Sequence, residues 1–161
     1  MRLVDAERVN REERILLRPE SHIQLATNLP VASDSEIDVR TRAGKGVAAV
    51  FPFSSVSDEV LSLPSALDRA YAGKAELLLY FSKLHLDAEE SWKGFEISLL
   101  GQFPPGQAPI RYEVRLYDVL ARQQVDAAAI VISRAFMKTG ENADQIDEAF
   151  RRYAALVTGK R

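Results

Sequence analysis

Between Gly94 and Arg134 the chain reads as a three-strand antiparallel meander with one clean apolar face. In the stretch Ile110 to Asp118, the side chains of Ile110, Tyr112, Val114 and Leu116 point one way, and Arg111, Glu113, Arg115 and Tyr117 point the other. That two-residue period is the signature of a half-buried strand. Phe95, Ile97 and Leu99 open the meander. Pro104-Pro105-Gly106 with Pro109 supplies the connection into Ile110, and Val125 to Ser133 returns after Leu120-Ala121-Arg122.

The rest of the chain supplies the parts such a sheet needs. Ala75 to Phe81 is apolar on both faces, as a central strand must be. Leu63 to Ala72 reads as a short helix: Ser62 precedes it, Pro64 sits in its first turn, Leu63, Leu67, Ala70 and Tyr71 share a face, and Gly73 stands at the C-terminal cap. Ile146, Ala149, Phe150, Tyr153, Ala154 and Val157 recur at three- and four-residue steps, which predicts a terminal amphipathic helix ending at Gly159. Asp34 to Phe51 favours a helix capped by Ser33 or Ser35 and weakened by Gly44 and Gly46. A strand from Val47 to Phe53 is the alternative. Ile15 to Arg18, stopped by Pro19, and His22 to Ala26 read as a short hairpin or a bent edge strand, and Phe53 to Ser57 as a further strand.

The expected architecture is therefore α/β of the α+β type. It is a two-layer sandwich in which a mixed, mostly antiparallel sheet has helices packed on one face. The 161 residues, 47% of them hydrophobic, suffice for one ordinary core. Residues 1–13 read as a charged tether, because Arg2, Asp5, Glu7, Arg8, Arg11, Glu12 and Glu13 leave little to bury, and residues 14–161 as a single domain.

Composition weighs against several functions. The 21 basic and 23 acidic residues are interleaved, for a net charge of −2. A nucleic-acid partner is not expected, since phosphate binding draws on a concentrated basic surface. With no cysteine in the chain, disulfides, thiolate catalysis and cysteine-based zinc sites are excluded. No apolar run approaches the roughly 20 residues that span a bilayer.

Candidate chemistry is equally thin. His22 and His85 are far apart and lack a third ligand at metal-binding spacing. Gly44-Lys45-Gly46 has neither the spacing nor the following Ser or Thr of a phosphate loop. Asp87, Glu89 and Glu90 lack the alternation and central glycine of a calcium loop. No nucleophile elbow of the Gly-x-Ser-x-Gly kind is present. The sequence thus assigns no catalytic, cofactor-binding or metal-binding residue, and the expectation is a protein that is not an enzyme and uses no cofactor. Trp92, Phe95 and Phe103 cluster around the acidic loop and the proline-rich turn. They are the candidate interaction surface, with local core as the other reading.

The succession Arg14-Ile15-Leu16-Leu17-Arg18-Pro19-Glu20-Ser21-His22-Ile23, Phe51-Pro52, Ala75-Glu76-Leu77-Leu78-Leu79-Tyr80 and Glu89-Glu90-Ser91-Trp92 resembles a family of small Gram-negative cell-envelope lipoproteins of unknown function. Val114-Arg115-Leu116-Tyr117-Asp118 and Tyr153-Ala154 extend the resemblance over about residues 14 to 158. The layout is similar to the periplasmic domains of curli-secretion lipoproteins (CsgG-like), transport-auxiliary lipoproteins and the TolB N-terminal domain. The resemblance implies a strand-helix-strand unit, a meander and a final helix, with an anchor through a lipidated N-terminal cysteine. This chain departs from the family there, having neither that cysteine nor a signal segment.

Two compartments follow: periplasmic and anchored to the outer membrane if a targeting segment has been trimmed, cytoplasmic if Met1 is the native start. The leading expectation is a non-enzymatic accessory domain of the envelope, associating with itself or with another envelope protein and meeting the membrane only through the missing anchor. The alternatives are a small cytosolic enzyme or ligand-binding domain, and a subunit of a secretion or polysaccharide-export assembly.

Overall fold

A computed structural model describes residues 17–30, 38–84, 96–99, 110–132 and 144–159. In chain order its elements are β1 (Ile23–Thr27), α1 (Val39–Ala48), β2 (Ser54–Val60), α2 (Leu63–Ala72), β3 (Leu77–Lys83), β4 (Glu96–Leu99), β5 (Ile110–Asp118), β6 (Gln123–Ile132) and α3 (Asp144–Val157). The strands form one six-stranded sheet in the order β2-β1-β3-β5-β6-β4. β1 runs parallel to both β2 and β3, and β4 runs parallel to β6. The antiparallel pairings of β5 with β3 and β6 are the longest and form the middle of the sheet.

The expected α+β class, a mixed sheet with helices packed on one face, is observed for α1 and α3, while α2 covers the opposite face, so the two-layer expectation gains a second, smaller helical cover. Ile23 and Leu25 of β1, Leu77, Leu79 and Phe81 of β3, and Tyr112, Val114 and Leu116 of β5 turn to one face. There they meet Ala43 and Val47 of α1 and Phe150, Tyr153 and Val157 of α3. Every one of the six residues of the terminal stripe, from Ile146 to Val157, is buried. The opposite pleat of the same strands supplies a second cluster, in which Ala26, Leu78, Tyr80 and Tyr117 pack with Ala66, Leu67 and Ala70 of α2. β3 is consequently apolar on both faces.

Four local expectations change. β1 is an interior strand rather than an edge, and Leu17 and Arg18 form no strand. Arg18 instead accepts from the Ser21 N–H in a turn at 3.0 Å, and the Leu17 N–H donates to the Val157 carbonyl at 2.9 Å. The Pro19 ring leaves no N–H for a ladder there. β4 does not open an antiparallel meander. Its Leu99 and the Ile110 of β5 both pair with Ile132 of β6, so β6 lies between them. Leu99 and Ile110 are thus two strand spacings apart, about 10 Å. That span suits the ten-residue connection better than a tight hairpin would. The third change concerns β5, whose second face is not solvated. Glu113 and Tyr117 are buried there, and Glu113 forms an ion pair with Arg115.

The last change concerns only the cap of α1, since the favoured helix is observed. α1 is a helix, not a strand from Val47, and it begins at Asp38, whose carboxylate accepts from the Arg40 N–H at 3.1 Å and from the Thr41 hydroxyl at 2.7 Å. Ser33 and Ser35 lie outside the described residues. The helix continues through Gly44 and Gly46 because both face close neighbours, Val56 of β2 and the backbone of α3. The two glycines weaken the isolated helix and permit its packing.

Candidate interaction surface

Trp92, Phe95 and Phe103, along with His85, Asp87, Glu89 and Glu90, lie outside the described residues. His22 is described: it is exposed, and its ring stacks on Phe53 with centroids 5.3 Å apart and planes 12° from parallel. Lys45, between the two glycines of α1, is exposed on the helix surface. Among the described residues no group of three or more His, Cys, Asp or Glu side chains is placed to hold a metal ion.

The polar groups that are buried serve the frame. Thr27 hydrogen-bonds within the sheet, Tyr153 donates to Asp126 at 2.7 Å, and Tyr80 donates to the Leu61 carbonyl at 2.7 Å. Burial pushes the Tyr80 hydroxyl above its ordinary pKa, against a smaller opposite pull from Arg115. For Arg115 itself burial disfavours the charge, yet hydrogen bonds with Glu113 and Tyr117 outweigh that and raise its pKa. A guanidinium held between a buried carboxylate and a tyrosine is a fixed strut, not a group poised to exchange a proton.

Among the described residues, one end of the sheet is left uncovered. Here β1 begins, and three turns from distant parts of the chain meet. Ladder hydrogen bonds tie them in order: the Ile23 N–H to Phe53 at 3.3 Å, the Glu76 N–H to His22 at 3.0 Å and the Val119 N–H to Glu76 at 3.0 Å. Each turn region exposes a large apolar side chain. Phe53, ahead of β2, is 54% exposed, Tyr71, at the end of α2, is 62% exposed, and Leu120, between β5 and β6, is 82% exposed. Tyr71, Lys74, Ala75, Glu76, Val119 and Leu120 line an open hollow of about 630 Å³. Its wall is chiefly apolar, with Lys74, Glu76 and Asp118 as its charged members.

Two turns beside the hollow carry a residue in the left-handed region, Lys74 with φ 59° and Arg122 with φ 54°. Neither is glycine, so each conformation is held by its surroundings: the Lys74 N–H donates to the Tyr71 carbonyl, and Arg122 pairs with Asp68 of α2 at 2.9 Å. Leu120 is thereby displayed on a fixed turn. Sequence reading missed this end entirely. The available signal was an apolar residue in a turn otherwise marked by Asp118 and Arg122.

A second open feature is the β2 edge. No described strand pairs with its outer side. Val56 and Val60 are exposed along it, while Asp58 and Glu59 put charge only in its second half. Natural sheets usually shield such an edge.

Fold and surface together define an α+β domain with two exposed apolar features among its described residues. No protein-family model matches the chain, and neither does any curated protein. Solved structures are similar to it in differing degree. The PelC dodecamer from Paraburkholderia phytofirmans aligns with a TM-score of 0.52 at 12% identity, over 90% of this chain and 91% of that one. A single-substitution form of the same dodecamer gives 0.49 at 11% identity, over 89% and 92%. A Xanthomonas campestris protein of family DUF330 gives 0.33 at 12% identity, over 86% and 85%. At 12% identity the likeness to the structure with a TM-score of 0.52 is one of fold alone.

Proposed function

We propose that this chain is a non-enzymatic interaction domain of the bacterial cell envelope that works as one subunit of a self-associated assembly. The observation that carries the reading is the β2 edge, unpaired among the described strands, flanked by exposed Val56 and Val60 and uncharged from Ser54 to Ser57. An unpaired strand edge with apolar neighbours is a template for another chain. The fold likeness to a protein that forms a dodecamer supports self-association in particular. The envelope location rests on the resemblance of residues 14 to 158 to small envelope lipoproteins.

Light scattering coupled to size exclusion, run over a wide concentration range, tests the assembly. Concentration-dependent oligomers are expected, and a strict monomer at high concentration overturns the reading. Location is tested separately by the native reading frame and by cell fractionation. A secretion signal ending in a cysteine is expected upstream, whereas a chain without a signal that fractionates with cytosol would refute the envelope assignment.

A further inference from the structure

Self-association leaves open how two subunits join. We infer that two copies of this chain pair through β2, edge to edge and antiparallel across a two-fold axis at Ser55, so that their sheets become one. The inference rests on the self-association reading above and adds the orientation and the register of the contact.

Backbone geometry sets the register. In a parallel ladder, alternate residues of a strand bond to the same neighbour. The Ile23 N–H donates to the Phe53 carbonyl, and Ile23 stands opposite Ser54. Phe53, Ser55 and Ser57 therefore face β1, while Ser54 and Val56 turn N–H and C=O outward, where no described strand meets them. Both ends of this window are closed. Pro52 has no N–H to donate. Beyond Leu25 the pairing with β1 shifts register, and the Asp58 carbonyl already accepts from the Arg40 guanidinium at 3.3 Å. An axis at Ser55 sets Ser54 of one copy opposite Val56 of its mate, where they exchange both backbone hydrogen bonds, and symmetry repeats the exchange. An axis at Ser54 would set Val56 against Pro52, and one at Val56 would set Ser54 against the occupied Asp58 carbonyl.

The closed ends are what select a second copy over an unrelated strand. With the axis at Ser55, Pro52 comes opposite Asp58 of the mate. The hydrogen bond that Pro52 cannot donate is the one that the Asp58 carbonyl, held by Arg40, does not need. Charge decides the orientation. Antiparallel pairing leaves the two Asp58 carboxylates six strand positions apart, about 20 Å, whereas parallel pairing in register would set Asp58 and Glu59 against their own copies. Side chains agree with this register. Phe53, still stacked on His22, comes opposite Ser57 of the mate, and the two half-exposed Val56 side chains lie diagonal on the α1 face. Gly44 of α1 lies against Val56, and the exposed residues on that flank of the helix, Thr41 and Ala48, are small enough for the mate's α1 to approach.

The chain contains no cysteine, so engineered thiols report without background. Ser55 meets its own copy as a non-hydrogen-bonded pair, with Cα atoms about 4.5 Å apart, inside disulfide reach. Under mild oxidation Ser55→Cys is expected to give a covalent dimer, and Asp58→Cys, on the same exposed edge, none. Ser55→Asp and Ser55→Lys, each set against its own charge, are each expected to weaken association about tenfold or more. Mixing the two is expected to restore it, a rescue that misfolded variants would not show. If the unmodified chain associates but Ser55→Cys stays uncrosslinked and Ser55→Asp associates equally well, this pairing is wrong while self-association stands. Equal crosslinking at Asp58→Cys overturns the antiparallel register. If the unmodified chain stays monomeric, both readings fall and the β2 edge belongs to another partner.

Discussion

Gly46 of α1 lies so close to α3 that a Cβ on it would stand 2.2 Å from the carbonyl oxygen of Asp147. The Arg151 nitrogen at 2.9 Å and the Phe150 Cβ at 3.0 Å close the same space. Two of the three obstacles are backbone atoms, so relief requires the helices to part. Alanine would gain about 1 kcal/mol of helix propensity over glycine, but overpacking costs about 1–3 kcal/mol and more where backbone must shift. Gly46→Ala is expected to lose about 2 kcal/mol in urea unfolding followed by circular dichroism. Gly44→Ala meets only a methyl of partly exposed Val56, at 2.6 Å, and is expected to stay within about 1 kcal/mol of the parent. Equal stabilities for the two variants would contradict the packing described.

Most of this fold was legible because its signals are local. The alternation from Ile110 to Leu116 specified β5 and its buried face, the stripe from Ile146 to Val157 specified α3, and Ser62 with Gly73 bracketed α2 to the residue. Gly44 and Gly46 misled in part: propensity marks them as helix-weakening, while their use is decided by α3, a hundred residues on. β4 was legible as a strand but not in its place, since nothing within Glu96–Leu99 records that it will lie beside β6 instead of β5. The apolar end was harder still. Phe53, Tyr71 and Leu120 share no motif and meet only through the hydrogen bonds that link His22, Glu76 and Val119. A surface assembled from three turns has no period for a sequence to show.

Tyr153, fully buried, donates its hydroxyl to Asp126, which is 6% exposed. The pair stitches α3 to β6 beside the register shift that falls between Leu116 and Tyr117 of β5. Tyr153→Phe keeps the ring and removes one donor from a buried carboxylate. A hydrogen bond to a charged group contributes about 1.5–3 kcal/mol, and a loss in that range is the expected result of chemical denaturation. An unchanged midpoint would mean that Asp126 draws its support elsewhere.

Thr27 offers a cleaner case, because its hydroxyl both donates and accepts with no exposure to solvent. It donates to the Phe81 carbonyl at 2.6 Å and accepts from the Leu29 N–H at 3.0 Å. Thr27→Val is nearly isosteric and abolishes both, at an expected cost of about 2 kcal/mol. Amide exchange at Leu29 should also accelerate, a readout that packing loss alone would not single out. Thr27→Ser keeps both bonds and sheds one methyl, so about 1 kcal/mol is expected.

Glu148 makes stability depend on pH at the exposed face of α3. The hydrogen bond from Arg151, at 2.7 Å, does most to depress its pKa; slight burial opposes that, and Arg152 adds a second bond at 3.0 Å. The carboxyl is held at about 2 against an ordinary 4.5. A depressed folded-state pKa means the unfolded chain binds the proton first as pH falls. The stabilisation is therefore complete above pH 4.5 and drains away as pH drops toward about 2. Solvent and salt screen a pair so exposed, so its size is at most about 1 kcal/mol. The difference in urea midpoint between the parent and Glu148→Gln is expected to hold steady from neutral pH to about pH 5, then shrink across the acid window. It should shrink at neutral pH as well when salt is raised toward 1 M. A difference that persists unchanged at pH 2 would assign the effect of the substitution to something other than the two arginine pairs.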